Sequence, residues 1–122
     1  MATFAEPIRP YHFLLSEANG TLSREKVTIA SGSSPAVPGT VLGKITASGK
    51  YTAYDDGLSN GAQTAVAILT HEVDTTSDVV AQVIIRLAEV KKDALSWHAS
   101  ADATAKTKAY ADLVSSNIAV RD

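Results

Sequence analysis

The apolar and polar positions of this chain change rhythm several times. Glu25–Ala30 (EKVTIA) alternates residue by residue, as a half-buried strand does. Thr40–Ile45 and Lys50–Tyr54 are strand-like, and Thr46-Ala47-Ser48-Gly49 between them fits a tight hairpin. Asp55–Gly61 (DDGLSNG) is a long polar turn, Thr64–Leu69 (TAVAIL) a mostly buried third strand, and Asp74–Asp78 another turn. Val79–Val90 (VVAQVIIRLAEV) fits two templates. Val80, Ile84 and Ala88 fall at helical spacing, whereas Val83, Ile85 and Leu87 alternate. Six of these twelve residues are β-branched, which costs side-chain freedom in a helix and suits a pleated surface, so a strand is expected. Ser100–Ser116 is the one clear helix, with Ser100 or Asp102 as cap and Ala109, Tyr110, Leu113 and Val114 as its apolar face. Asn117 suits a left-handed stop, and Ile118–Val120 a short last strand.

The first 24 residues follow a different logic. Pro7 and Pro10 each remove a backbone donor and push the preceding residue toward extended geometry. Tyr11, Phe13, Leu14 and Leu15 then add apolar weight where no helix can start, and Asn19-Gly20 signals a turn. Two readings stand side by side: a strand folded on its own core, or an arm that docks on another chain. In the second reading Phe4, Pro7, Ile8, Pro10, Tyr11, Phe13, Leu14, Val27 and Ile29 are the candidate contacts. Ser31–Pro38 (SGSSPAVP) reads as a linker. The expected organisation is an arm over residues 1–30 and one globular body over 31–122. The fold class is α+β, a small β-rich mixed domain with one C-terminal helix and an extended N-terminal arm.

Composition narrows the chemistry. At 122 residues one domain is expected, and although 45% of residues are apolar, many are alanines that bury little area. Self-association would add burial to such a chain. The net charge of −2, with no basic stripe, argues against nucleic-acid binding. Without cysteine there is no disulfide, thiolate or cysteine-zinc chemistry. No apolar run approaches the ~18 residues of a membrane span, and the first residues lack the apolar stretch of an export signal, so neither membrane nor secretion is expected.

No catalytic set emerges. Gly39 to Gly43 is one residue short of a phosphate loop and Lys44 is followed by Ile45; Gly49-Lys50 is followed by Tyr51. These glycines read as turn residues, and Lys44 and Lys50 as surface charges. His12, His71 and His98 show no metal-ligand spacing. Asp55-Asp56-Gly57 opens like a calcium loop but has no closing glutamate, and Asn19-Gly20-Thr21 matches a glycosylation sequon only as turn residues. No cofactor, metal or small-molecule substrate is expected. Trp97, the only tryptophan, is either a core anchor for the helix start or a contact between copies, since tryptophans are frequent interface anchors.

Against this background the ordered set of segments carries a resemblance. PGTVLGKITASGKYTAYD, GAQTAVAILTHEVD and RLAEVKKDALSWHASADATAKTKAYADLVSSNIAVRD are similar to the tailed-phage head decoration family typified by the lambda protein. The matching features fall at Gly39–Lys44, Gly61–Leu69, Ala88–Trp97, Asp102–Ser116 and Ile118–Arg121, and FLLSEANGTLSREKVTIASG resembles the arm of longer members. Asn60-Gly61-Ala62-Gln63 departs mildly from the family's DGsq stretch. The resemblance implies a non-enzymatic virion protein, made in the host cytoplasm. It would sit as a homotrimer outside the expanded capsid at local three-fold sites, bind the major capsid protein, and stabilise the shell against packaged DNA. The N-terminal arm would make the capsid contact, and Trp97 is the candidate for the trimer interface. Two rivals remain: a non-catalytic adhesion or structural module, and a small trimeric β-rich hydrolase, for which the acidic and Gly-rich motifs are missing.

Overall fold

The computed structural model describes residues 10–122. The described residues hold eight strands, one short 3-10 helix (Lys92–Ala94) and one α-helix; the strands and α-helix run in order β1 (Leu14–Glu17), β2 (Arg24–Ile29), β3 (Val41–Lys44), β4 (Tyr51–Ala53), β5 (Ala65–Leu69), β6 (Val79–Ile84), β7 (Ala88–Lys91), α1 (Ala103–Ser115) and β8 (Ile118–Arg121). Five strands close a barrel in the order β2-β4-β3-β5-β6. β6 returns onto β2 through an antiparallel ladder from Arg24↔Ile84 to Ile29↔Val79. The seam between β2 and β4 is a single parallel bridge, Ile29↔Tyr51, where the Ala30 N–H donates to the Tyr51 carbonyl at 2.8 Å. The remaining strands form a second sheet, β1-β7-β8, with β1 antiparallel and β8 parallel to β7.

Two cores result, and the barrel wall divides them. Ile29, Leu42, Tyr51, Ala67, Leu69, Ala81 and Val83 fill the barrel. Val41, Ala65, Ile68 and Ile84 face outward from it and pack with Phe13, Tyr54, Ala88, Val90, Leu95 and Ile118 against the Ala105, Ala109 and Leu113 face of α1. Strands such as β3 and β5 are therefore buried on both sides. This is why TAVAIL reads as an unbroken apolar run rather than an alternation.

The β-rich α+β class and the single C-terminal helix agree with the sequence reading. Asp102 is the cap, its Oδ1 accepting the Ala105 N–H at 2.8 Å, and Asn117 ends the helix with φ of 62°. The inward face differs in one member. Ala105 takes an inner position at i, i+4 spacing with Ala109 and Leu113, while Val114 is 60% exposed. Val79–Val90 is β-structure but not one strand. It breaks at Ile85–Leu87, where Leu87 adopts φ of 53°, and its halves enter different sheets. Neither glycine nor proline marks that break in the sequence.

Candidate interaction site

Phe4, Pro7 and Ile8 lie outside the described residues, and Pro10 is exposed. From Tyr11 on, the chain is built into the fold. Phe13 is fully buried in the core under α1, and Leu14 packs beside it and pairs with Val90. Val27 is half-buried against the barrel core and Ile29 is fully buried inside it. In this conformation Phe13 and Ile29 offer no surface to a partner. A division of the chain between residues 30 and 31 passes through the barrel, because β2 is the strand that closes it.

Ser31–Pro38 is correspondingly not a free spacer. The buried Ser33 hydroxyl accepts the Ala53 N–H at 3.0 Å, the Ser33 carbonyl accepts the Thr75 hydroxyl at 2.8 Å, and the Ala36 carbonyl accepts the Val73 N–H at 3.0 Å. A segment so bonded is tied down on the body.

At the start of the described chain, four side chains meet. Tyr11 adopts φ of 61°, and its N–H donates to the Thr70 carbonyl at 3.1 Å. Its hydroxyl donates to Gln82 Oε1 and accepts from Arg24 Nη1 at 3.2 Å. The Arg24 guanidinium lies over the Tyr11 ring, with Cζ 4.4 Å from the centroid. Arg24 Nε and Nη2 donate to the two oxygens of Glu17, at 2.9 and 2.5 Å, a bidentate pair that holds the guanidinium pKa above its usual value. Sequence reasoning singled out Tyr11 but missed Arg24 and Glu17. Their meeting depends on the turn after β1, which brings residues from β1 and β2 to the same spot.

Trp97 has aromatic neighbours within its own chain. Its ring is edge-on to Tyr110 at 5.6 Å and to Tyr54 at 6.3 Å, with Lys106 Nζ 5.8 Å from its centroid. It is half-buried against the core and meets α1 at Tyr110, near the middle of the helix. The Tyr54 hydroxyl donates to the Ala105 carbonyl at 2.9 Å. Burial, reinforced by the nearby carboxylates Asp56, Asp112, Asp102 and Asp55, pushes the Tyr54 phenol from 10.0 up to about 12. The folded state thus holds a proton that the unfolded state releases first. This contribution to stability is complete below pH 10 and is lost as pH rises toward 12. Denaturation midpoints measured across that window should fall, and Tyr54→Phe should fall less steeply; an identical slope would refute the assignment.

The histidines are not gathered into a centre. His98 Nδ1 is 2.8 Å from Ser100 Oγ and 3.8 Å from Asp55 Oδ2, but both partners address the same ring nitrogen, so no relay passes through the imidazole. Among the described residues no group of three His, Asp or Glu side chains could hold a metal ion. Lys44 is exposed, and Lys50 pairs with Asp78 at 2.5 Å on the surface. Among the described residues no helix is long and apolar enough to cross a membrane.

Compared with known proteins, residues 3–118 match the family model described as HDPD, bacteriophage lambda head decoration protein D. The match runs from the N-terminal segment to the first residue of β8. No curated protein matches the chain.

Proposed function

The chain belongs to the bacteriophage lambda head decoration protein D family, and from that premise we propose that it cements the capsid of its phage. In this reading it binds the outside of the expanded shell as a homotrimer at local three-fold sites, its partner the major capsid protein. The single observation that carries the reading is the family match over residues 3–118.

The physics of such a role is consistent with this chain. A closed ring of three lets three weak contacts act together, so avidity exceeds the affinity of any one. A protein that binds only the expanded lattice stabilises that state by mass action, as RT ln(1 + [L]/Kd) per site, and so opposes the pressure of packaged DNA. The N-terminal segment from Phe4 to Pro10, with its prolines and apolar residues, is the leading contact with the capsid. Leu14 and Val27 could join it at the surface, whereas Phe13 and Ile29 would reach a partner only if β1 and β2 left the body. Trp97, only half-buried, is the candidate contact between copies.

Titrated co-sedimentation of the purified protein with expanded, undecorated capsids tests the reading. Saturation near three copies per local three-fold site is expected. Absence of binding to expanded shells of its own phage would overturn it.

A further inference from the structure

None of the four side chains gathered around Tyr11, namely Tyr11 itself, Glu17, Arg24 and Gln82, belongs to either hydrophobic core. Yet they are tied to one another more closely than surface groups need be. A bulky residue in the left-handed region is uncommon and persists only where its surroundings over-determine it. At Tyr11 those surroundings come from three elements: Arg24 of β2, Gln82 of β6, and Thr70 just after β5. Arg24 is itself held by Glu17 of β1.

We propose that Arg24 is a positioning residue for docking: it clamps Tyr11 and so fixes the backbone at the base of the N-terminal segment. This rests on the docking role proposed above. The chemistry requires arginine in particular. One planar guanidinium grips both Glu17 oxygens through Nε and Nη2, reaches the Tyr11 hydroxyl through Nη1, and stacks on the ring. A lysine ammonium at the same place would be a point charge able to satisfy Glu17 but not the stack and the fork together. Fixing the backbone at the base of a docking segment reduces the freedom lost on docking.

The test uses the full-length protein and two readouts. Amide exchange is followed at Tyr11 and Leu14, whose N–H groups bond the Thr70 and Tyr11 carbonyls, and in the β2–β6 ladder. Capsid affinity is taken from titrated co-sedimentation. Arg24→Ala should speed exchange at Tyr11 and Leu14 and weaken capsid binding on the order of tenfold or more, while the β2–β6 amides keep their protection. Arg24→Lys should not rescue either effect. Tyr11→Gly, which tolerates the same backbone conformation but removes the clamped ring, should reproduce the loss and carries the test if Arg24→Ala fails to fold. Unchanged protection at Tyr11 and Leu14 in Arg24→Ala would overturn the clamp. Loosened amides with unchanged capsid affinity would overturn its role in docking. If the wild-type protein binds no capsid, the docking reading fails by itself, and the exchange data still decide whether Arg24 holds Tyr11.

Discussion

Phe13→Ala should destabilise the folded body by about 3–5 kcal/mol, read as a shift in the denaturant midpoint at unchanged slope. For a domain of this size that is a fall in Tm of roughly 10 °C or more. Phe13 is fully buried among Val41, Ile68, Ile84, Val90 and the inner face of α1, and its ring meets the His12 imidazole edge-on at 5.9 Å. Deleting the ring leaves a cavity between α1 and both sheets, lined by residues that the barrel wall fixes from behind. The experiment also separates two pictures of the N-terminal region. If the chain from Phe13 on is part of the body, the midpoint moves; if it is a detached arm, the body does not register the change. An unchanged midpoint would refute the packing described here.

Gly61→Ala should be comparably damaging, at about 3 kcal/mol or more, because two penalties fall on one residue. Gly61 has φ of 112°, a conformation that residues with a Cβ rarely adopt. A Cβ there would also stand 2.3 Å from the Lys44 carbonyl oxygen and 2.5 Å from Thr46 Oγ1. Relief would require moving the polar turn away from the end of β3 and breaking the bond from the Thr46 N–H to the Asn60 carbonyl at 2.8 Å. Gly49→Ala, a left-handed glycine with open space around it, is the control for backbone strain alone. Midpoints for the two variants within about 1 kcal/mol of each other would show that the close approach at Gly61 does not matter.

Local signals made part of the fold legible. The β3–β4 hairpin, β5, the Asp102 cap and the Asn117 stop all declare themselves within a few residues of where they act. What stayed hidden depends on partners far along the chain. Tyr11, Phe13 and Leu14 looked apolar without showing whether their partner was inside or outside the molecule, because β1 is only four residues long and bulged between Leu14 and Ser16. The break at Leu87 was invisible because a leucine, not a glycine, takes the left-handed turn there. The Arg24–Tyr11 clamp could not be read, since cation and ring meet only once the turn after β1 is formed. Trp97 fits its core-anchor reading through Tyr54 and Tyr110, and its contact with a second copy belongs to the proposed assembly.

The barrel seam also orders events in time. β2 is made early, but every residue of its antiparallel partner arrives about 50 or more residues later, and its one bridge to β4 cannot hold it alone. At synthesis rates of roughly 5–20 residues per second, the antiparallel edge of β2 waits several seconds for its partner. An unpaired strand of this kind invites association with other nascent chains, and charge along it discourages that. Three of its six residues are Arg24, Glu25 and Lys26. The charges at the start of β2 thus guard the polypeptide before there is a barrel for them to decorate.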